Sequence, residues 1–411
     1  MIKVGIGGHA VGTLARSRGK AFAFSYIPGT PARDAVSLTM PPRVESYASS
    51  VGHLHPIFDM NLPEGFLRQW LLKVIPDFDD LTLLNVTGAS QIGRLQYDSG
   101  QPAPAGMNVQ DILAYDGAED LFQHLLDVYA TASGVSGVQP KVLIRDVAGH
   151  KLSREEKISQ DHRVTVTGTT HIVKTWDQKY PQLALNEHFC LRAAKHAGLA
   201  VPEWSISQNG KFLVVERFDV QHDGYLGVED FCVLAGMTSE MKYHGSYEQM
   251  AKSLKMFVSP DTQISALRDY FKMIVLSCVV RNGDAHRKNF CLFYDSAESR
   301  LGQLAPTFDI VTTTAYIAMD SMAMLLGGSK RWPTREKLLR FAAVCGLLPE
   351  DASRCLDDVE EGVTLARKEL QDATIHIPEF QEVGAAMDSS WQAGLKDLSS
   401  KTGIQETIPP K

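Results

Sequence analysis

The stretch Arg281-Asn282-Gly283-Asp284-Ala285-His286-Arg287-Lys288-Asn289-Phe290 combines an acid, a histidine, cations and amides directly after a strongly apolar segment. A second acid, Asp309, follows in residues 305–310. An acid, an amide five residues later and a further lone acid are what phosphoryl transfer requires. One carboxylate orients or deprotonates the attacking hydroxyl, while an amide oxygen and the other carboxylate hold Mg²⁺. The stretch therefore predicts a phosphotransferase fold, provided that the rest of the chain supplies a nucleotide site.

Two other interpretations of this stretch stay open at this point. Asp284, His286 and Asn289 could ligate another metal, but a single Asp-x-His lacks the further His, Cys or carboxylate at helix spacing that zinc requires. Asp284 could also cap a purely structural turn. The order of the other motifs along the chain is what discriminates between these interpretations.

The composition is that of an ordinary globular protein. The 411 residues allow two or three domains with a large core, and the hydrophobic and charged contents are 44% and 22%. A formal net charge of −7 gives no support for general nucleic-acid binding. The six cysteines form no CxxC pair and most lie in apolar runs, which predicts reduced core residues.

The sequence predicts neither an export signal nor a membrane helix. The first residues contain no signal-peptide core. Apolar runs stay shorter than the roughly 18 residues of a membrane helix, and the longest near-candidate is interrupted by Lys272. We therefore expect a cytoplasmic protein with no membrane partner.

Residues 1–100 are predicted to form a small β-rich unit with tight glycine turns. Its strands are expected at 4–6, 11–14 and 21–26. An amphipathic helix is expected at 66–75, with Pro63 and Glu64 in its first turn. Residues 98–106, rich in proline and glycine, are the best candidate linker.

Apolar residues at helical spacing predict three further helices. These helices are expected at 118–132, at 182–197 and from Asp261 to the stretch at 281–290. Gly198 and Pro202 should end the second helix. The apolar faces are expected to be Leu121, Leu125, Val128 and Tyr129 in the first helix, and Ile264, Leu267, Phe271, Ile274 and Cys278 in the third.

Residues 133–141 form a glycine-rich loop between a predicted helix and a predicted strand. Its glycines would let backbone N–H groups approach phosphate oxygens, although an ordinary turn explains the loop at least as well. Ser136 lies within it, where its hydroxyl could contact a nucleotide or be modified itself.

Lys174 lies in a predicted strand, where a lysine is disfavoured unless its ammonium group reaches a partner or solvent. We interpret it as a ligand of α/β-phosphates, steadied by Glu187 of the following helix. Lys141 is a second candidate for the same task. The alternative interpretation of Lys174 is a lysine on an edge strand.

Residues 214–219 end a third strand. In a kinase-like arrangement they would form a hinge that offers backbone groups to adenine, with Asp219 near the ribose. A strand end followed by a charged turn explains them equally well. The motifs nevertheless follow the order of a bilobal phosphotransferase: glycine-rich loop, strand lysine, helix glutamate, hinge, Asp-x₄-Asn and a later Asp.

Together these motifs resemble the HipA family, bacterial serine/threonine kinases that act as toxins of type II toxin–antitoxin systems. In the kinase part, the resemblance rests on residues 136–141, 171–174, 186–187, 198–202, 215–219, 229–232, 282–290 and 306–310. Residues 11–14 and 61–65 are similar to the N-terminal subdomain of long-form members. It implies an α+β, bilobal protein-kinase-like fold. Its parts would be an N-terminal β-rich subdomain at 1–100, an N-lobe at 101–220 and a mostly helical C-lobe at 221–411.

The resemblance also implies roles for individual residues. Asp284 would be the catalytic base, supported by His286 and Lys288, and Asn289 and Asp309 would hold Mg²⁺. The residues implied to bind ATP are Ser136, Gly137, Val138 and Gln139 of the glycine-rich loop, Lys174 at the phosphates, and Glu216, Phe218 and Asp219 around the nucleotide.

Regulation and partners are implied in the same way. Family members phosphorylate a serine of their own glycine-rich loop, which ejects the loop and inactivates the kinase; Ser136 and Ser133 are the candidates here. The substrate would be a protein, such as an aminoacyl-tRNA synthetase, whose phosphorylation stops translation and growth. The usual partner is a HipB-like helix-turn-helix antitoxin dimer, through which DNA would be contacted.

Two alternative functions are kept. Gly283-Asp284-x-His286-x-x-Asn289 also resembles the corresponding stretch of antibiotic kinases, which are small-molecule phosphotransferases. A non-catalytic corepressor would use the fold only to bind the helix-turn-helix partner and its DNA.

Overall fold

The computed structural model describes residues 1–17, 21–75, 79–88, 90–98, 106–116, 121–130, 133, 139–147, 169–221 and 224–399. The N-terminal part contains strands β1 (Ile2–Ile6), β2 (His9–Arg16), β3 (Phe22–Tyr26), β4 (Tyr47–Ala48) and β5 (Leu95–Tyr97). They form an antiparallel sheet in the order β4-β3-β2-β1-β5. The three strands predicted for this region are therefore confirmed.

One face of this sheet is apolar because side chains alternate along a strand. In β1, Ile2, Val4 and Ile6 are buried. Gly12 of β2 lies so close to Phe24 that an added Cβ would approach its ring to 2.4 Å. The face is covered by helices α1 (Pro56–Asp59), α2 (Gly65–Val74) and α3 (Asp80–Thr87).

A second antiparallel sheet is built from β6 (Lys141–Ile144), β7 (His171–Lys174), β8 (Trp204–Ile206) and β9 (Leu213–Glu216), in the order β6-β7-β9-β8. Helices α4 (Val109–Leu113), α5 (Leu121–Tyr129) and α6 (Leu183–His196) accompany it. Its apolar residues Val142, Val173 and Val214 join the same core as Phe24 of the first sheet. The N-terminal subdomain and this second sheet thus share one hydrophobic core.

The remaining chain is mostly helical. Its strands are β10 (Val220–Gln221), β11 (Gly224–Tyr225), β12 (Gly227–Asp230), β13 (Cys291–Tyr294) and β14 (Gln303–Leu304). Its helices are α7 (Phe231–Leu234), α8 (Tyr247–Phe257), α9 (Pro260–Val279), α10 (Arg335–Cys345), α11 (Pro349–His376) and α12 (Gln381–Ser399). Helix α11 packs against α6, α9 and α12 around a core that includes the fully buried Trp391. The mixed α and β architecture predicted from the sequence is confirmed.

The N-terminal subdomain is also fastened to the helical part by a buried carboxylate. Glu229 of β12 is inaccessible to solvent and accepts hydrogen bonds from Ser37 Oγ (2.9 Å), the Leu38 backbone N–H (2.6 Å) and Tyr294 Oη (2.7 Å). A buried carboxylate stays stable only when such donors replace its hydration. Glu229 therefore fixes how the two parts meet, and with it the geometry of the cleft between them.

The structure corrects several details predicted from helical spacing. Ile264 is 66% exposed because it lies near the start of α9, before that helix enters the core, and Val128 is partly exposed whereas Phe122 and Leu126 of the same helix are buried. Glu64 is the N-cap residue of α2, so neither it nor Pro63 lies in the first turn of that helix. Gly198 follows α6 with a left-handed φ of +73°, as predicted. The linker at 98–106 and the end of the chain beyond Ser399 lie largely outside the described residues.

Candidate active site

A cleft with an empty volume of about 940 Å³, including space open to solvent, lies where the three parts of the chain meet. Three parts of the chain line the cleft. The second sheet and the segment after it contribute Lys141, Ile172, Lys174, Val215, Glu216, Phe218 and Asp219. The helical part contributes Asp230, His286, Lys288, Asn289, Phe308 and Asp309, and the N-terminal subdomain contributes Met60, Asn61 and Glu64. Clefts of this size, with apolar walls and a few convergent polar groups, are typical of small-molecule sites. Most of the residues predicted to bind nucleotide or metal therefore line one cavity.

Four ionic side chains meet at one wall of the cleft. Lys174 Nζ lies 2.5 Å from Glu187 Oε1 and 2.5 Å from Asp309 Oδ1, and Lys141 Nζ lies 3.2 Å from Asp309 Oδ2. Strand β7, which carries Lys174, is hydrogen-bonded to β6 on one side and β9 on the other. The edge-strand interpretation of Lys174 is therefore wrong, and the predicted pairing with Glu187 is observed.

The charges in this cluster support one another. Burial opposes the ionisation of Asp309, but the ammonium groups of Lys141 and Lys174 outweigh burial and lower the pKa of that carboxyl. Burial also disfavours the charged form of Lys174, yet Asp309 and Glu187 together raise its pKa. Burial lowers the pKa of Lys141, which is the less well compensated of the two lysines. Lys174 and Asp309 are thus the firmly ionised pair.

Residues 281–290, the acid- and amide-bearing stretch quoted first, form the loop between α9 and β13. Local hydrogen bonds hold this loop. Asp284 N–H donates to Asn282 Oδ1 at 3.0 Å, His286 N–H donates to the Asp284 carbonyl at 2.7 Å, and Asn289 Nδ2 donates to the same carbonyl at 2.8 Å. Asn289 Nδ2 also lies 3.5 Å from the Asp309 carbonyl. The Asn289 side chain therefore lies between the backbone carbonyls of Asp284 and Asp309, the two acids of the phosphoryl-transfer pattern.

The donor set in this corner suits a magnesium ion. The Nδ2 group of Asn289 is engaged by the Asp284 carbonyl, which leaves its amide oxygen as the atom available for coordination. Mg²⁺ is commonly held by one or two carboxylates together with phosphate oxygens and water rather than by an all-protein cage. Within the described ranges, no group of three or more His, Cys, Asp or Glu side chains is placed to form such a cage. Asp309 and Asn289 are the residues that would fit the ion.

The carboxylate of Asp284 has a specific partner. Tyr243 Oη donates to Asp284 Oδ1 at 2.5 Å, and the Tyr243 ring packs edge-on against His286, with ring centroids 5.0 Å apart. The Asp284 side chain is 38% exposed, whereas that of His286 is 6% exposed. Burial lowers the pKa of His286, so its ring is neutral near pH 7. His286 is therefore packed inside the loop, and the Asp284 carboxylate is the more exposed of the two groups.

Lys288 is held by the N-terminal subdomain. Its ammonium group forms an ion pair with Glu64 Oε1, and Lys242 Nζ lies 2.8 Å from Glu64 Oε2. Burial opposes the ionisation of Glu64, but Lys288 and Lys242 outweigh it and lower its pKa to about 2. Glu64 is therefore a partly buried anion that bridges the two lysines at the cleft.

In the segment predicted as a hinge, Glu216 and Phe218 differ from Asp219 in whether protein groups already bind their side chains. Glu216 and Phe218 line the cleft, and the Phe218 ring stacks with Phe308 at a centroid distance of 6.0 Å. Asp219 also lines the cleft, but its carboxylate is engaged by Arg217 at 2.7 and 3.0 Å and by the Gly93 N–H at 2.7 Å. The structure thus gives Asp219 an internal contact that the sequence did not predict.

The glycine-rich loop is described only in part. Ser136, Gly137 and Val138 lie outside the described residues, and Gln139 is buried two residues before β6 begins. Ser133 is inaccessible to solvent; its Oγ donates to the Tyr129 carbonyl at 2.7 Å and accepts from Leu143 N–H at 2.9 Å. Both the donor and the acceptor capacity of the Ser133 hydroxyl are therefore used within the fold.

Comparison with known proteins identifies the family. Residues 2–98 match the HipA N-terminal domain, and residues 133–366, more than half of the chain, match the HipA-like C-terminal domain. The chain belongs to the HipA family. Among individual HipA relatives, the protein Y4mE of Sinorhizobium fredii is 30% identical over 312 residues, which cover 71% of this chain and 72% of that protein.

Two further HipA comparisons agree with the architecture. The serine/threonine-protein kinase toxin HipA of Shewanella oneidensis is 26% identical over 202 residues, 44% of this chain and 43% of that protein. A chain of the solved Shewanella oneidensis complex of HipA, HipB and operator DNA superimposes with a TM-score of 0.67 at 19% identity, covering 97% of each chain. At this identity the superposition shows a shared HipA fold over nearly the whole length.

Sequence reasoning missed three residues of this HipA site. Glu64 pairs with Lys288 and Lys242, and Tyr243 donates to Asp284, from segments that are distant in the chain. Glu64 lies in the Asn-Leu-Pro-Glu-Gly stretch that supports the family resemblance, so a polar residue there was the available signal. The Lys-Tyr pair at 242–243 carries no local pattern that marks it.

Two general predictions from the composition can also be compared with the structure. All six cysteines are buried and unpaired, which confirms their interpretation as reduced core residues. Among the helices of the described residues, none is both long and apolar enough to cross a membrane.

Proposed function

We propose that this HipA-family chain is an ATP- and Mg²⁺-dependent protein serine/threonine kinase that inhibits growth. The observation that carries the proposal is the convergence of Lys174, Asp309 and Asn289 at one cleft, with Asp284 on the same loop as Asn289. Positioning and electrostatic stabilisation supply most of the catalysis in phosphoryl transfer, and these residue types provide both.

Each side chain has a distinct task in this proposal. Lys174, steadied by Glu187, binds phosphate oxygens of ATP. Asp309 and Asn289 hold Mg²⁺, which neutralises charge on the phosphates. Asp284 accepts the proton of the attacking hydroxyl, and its partial exposure lets a protein serine or threonine reach it.

The hinge would hold the base of the nucleotide. Glu216 lines the cleft at the end of β9 and Phe218 forms part of an aromatic wall with Phe308. Backbone groups of this segment would bond to adenine while the rings cover its apolar faces. Gln139 and the adjoining glycine-rich loop, with Ser136, would cover the phosphates, and phosphorylation of Ser136 would displace that loop.

The proposed cellular role is inferred by analogy with the relatives. The kinase would phosphorylate a protein of translation, an aminoacyl-tRNA synthetase being one candidate, and a HipB-like helix-turn-helix dimer would restrain it and carry the DNA contact. The Shewanella oneidensis kinase toxin HipA and its complex with HipB and operator DNA support this role by analogy.

Induced expression in a bacterial host tests the proposal. Wild-type protein should arrest growth, and Asp284→Gln should abolish the arrest without lowering the amount of folded protein. Asp309→Asn should also abolish the arrest, but it breaks the pairs with Lys141 and Lys174 and should lower stability as well. Growth arrest by both variants at the wild-type level would contradict the kinase proposal and favour the non-catalytic corepressor. Co-expression of a helix-turn-helix protein from the neighbouring reading frame should restore growth.

A further inference from the structure

The catalytic base Asp284 is connected to the N-terminal subdomain by one short stretch of chain. Residues 239–244, here called the bridging segment, follow α7 and precede α8. On one side the bridging segment contacts the subdomain formed by β1–β5, and on the other it contacts the loop that carries Asp284 and Asn289. The contacts on both sides are polar and directional.

Two carboxylates of the N-terminal subdomain hold the bridging segment. Asp59, at the end of α1, accepts a hydrogen bond of 2.6 Å from the Ser239 backbone N–H and a second from Ser239 Oγ. Glu64, at the N-cap of α2, pairs with Lys242 Nζ at 2.8 Å. Asp59 and Glu64 are both largely buried, so their interactions with Ser239 and Lys242 are shielded from solvent.

The opposite side of the bridging segment contacts the catalytic loop at three points. Tyr243 Oη donates to Asp284 Oδ1 at 2.5 Å. The Arg287 backbone N–H donates to the Lys242 carbonyl at 3.1 Å, and Arg287 Nε donates to the His244 carbonyl at 2.8 Å. The bridging segment therefore fixes both the backbone of the loop and the side chain of its base.

We propose that Tyr243 is a positioning residue for Asp284, and that the N-terminal subdomain keeps it in place by binding the bridging segment through Asp59 and Glu64. The catalytic consequence rests on the proposed kinase function. A carboxylate base has two oxygens with several lone-pair directions, and its side chain rotates unless a donor fixes it. Tyr243 fixes Oδ1, so Oδ2 is directed to the substrate hydroxyl.

The same geometry makes the N-terminal subdomain part of the catalytic machinery. The subdomain supplies no proton acceptor to the reaction; its carboxylates act on Asp284 through Ser239, Lys242 and Tyr243. Loss of the Asp59 contact should loosen the bridging segment and release the Tyr243 hydroxyl from Asp284. Loosening the subdomain contact should thus lower the turnover rate while nucleotide binding at Lys174 and Asp309 is retained.

The test compares full-length wild type with Tyr243→Phe, Asp59→Asn and the double variant. The maximal rate is measured as transfer of labelled phosphate from ATP to the protein bands of a bacterial lysate at varied ATP. Tyr243→Phe should lower the maximal rate about tenfold with an unchanged KM for ATP, because one hydrogen bond to a charged group is lost. Asp59→Asn should lower it by a similar factor and should have little further effect in the Tyr243→Phe background.

The matched control is Asp34→Asn. Asp34 is a subdomain carboxylate paired with His9 at 3.2 Å, away from the bridging segment, and its replacement should leave the maximal rate unchanged. A higher rate in Tyr243→Phe would overturn the proposal, because it would mean that the tyrosine hydroxyl occupies the place of the substrate hydroxyl. Fully multiplicative losses in the double variant would overturn the connection through Tyr243.

Amide hydrogen exchange gives a readout that does not depend on activity. Tyr243→Phe should accelerate exchange in residues 282–289, and Asp59→Asn should accelerate it in both 239–244 and 282–289. Unchanged exchange in 282–289 for both variants would refute the positioning role even in an active kinase. If the wild type and Asp284→Asn both transferred no phosphate, the proposed kinase function would fail, while the exchange data would still decide whether Tyr243 holds the loop.

Discussion

Lys174 Nζ lies 2.5 Å from Asp309 Oδ1, so the lysine expected to bind ATP phosphates and the acid expected to bind Mg²⁺ are paired with each other. Lys174 is buried at the wall of the cleft and Asp309 is partly exposed there, and Glu187 and Lys141 complete a network of two basic and two acidic side chains. In a complex with Mg²⁺ and a nucleotide, the metal ion would contact Asp309 and the phosphate oxygens would contact Lys174. Within the protein, the two groups thus neutralise each other's charge.

Replacement of Lys174 should destabilise the protein strongly. Lys174→Met leaves Glu187 and Asp309 close together in a buried site with only Lys141 to compensate them. Breaking a buried pair of this kind costs about 3–5 kcal/mol. Urea unfolding of wild type and variant measures the loss. Lys141→Met is the matched control and should cost clearly less, because burial already disfavours the charge of Lys141. A larger loss for Lys141→Met would contradict this assignment of the two lysines.

Asp219 should matter for folding as well as for the nucleotide site. Its carboxylate pairs with Arg217, and both side chains are 1% exposed. Asp219→Asn should therefore lower the free energy of unfolding by about 3–5 kcal/mol, since it leaves a buried guanidinium group without its counter-charge. The double variant Arg217→Met/Asp219→Leu should be less destabilised than Asp219→Asn. Wild-type stability of Asp219→Asn, together with weakened ATP binding, would instead favour a direct contact with ribose.

His188 should contribute less to stability as the solution becomes mildly acidic. Burial lowers the pKa of His188 from 6.5 to about 4, and its Nδ1 accepts a hydrogen bond from Trp204 Nε1 at 3.0 Å. Between pH 6.5 and 4 the unfolded chain binds a proton at this position and the folded chain does not, so the folded state loses stability as the pH decreases. The loss attributable to His188 should reach about 2 kcal/mol, allowing for the partial exposure of the ring.

Urea unfolding at several pH values measures this dependence. His188→Asn keeps a hydrogen-bond acceptor near the position of Nδ1 but does not titrate, and should flatten the pH profile. His55, whose pKa burial also lowers to about 4, should maintain part of the slope in that variant. An unchanged profile in His188→Asn would show that the imidazole is not kept neutral by the fold.

The parts of the site that local sequence could predict are those encoded by short-range patterns. Asp284 and Asn289 lie on one loop, and Lys174 and Glu187 lie on a consecutive strand and helix, so their proximity follows from connectivity alone. Short apolar segments separated by glycine turns likewise predicted the strands of the first sheet. The interior position of β7 was not predictable, because strand order depends on pairing between distant segments.

The remaining parts depend on contacts across the whole chain. Glu64 and Lys288 are separated by 224 positions, and no periodicity indicates that an N-cap carboxylate should reach a catalytic loop. The partner of Asp219 lies two positions away, but its burial depends on Gly93 and Gln91 of the N-terminal subdomain. Helical spacing placed Ile264 in the core although α9 begins before it meets its neighbours. Spacing identifies a face, and tertiary packing decides how far along a helix that face is covered.

Transfer of labelled γ-phosphate tests the central claim most directly. Purified wild type, Asp284→Asn and the control Asp388→Asn, which removes a carboxylate paired with Arg367 outside the cleft, are incubated with ATP, Mg²⁺ and bacterial lysate. Wild type and Asp388→Asn should label a discrete protein band, and Asp284→Asn should label it at least about a hundredfold more slowly. Label in small molecules alone, or equal protein labelling by wild type and Asp284→Asn, would contradict a protein kinase with Asp284 as its base.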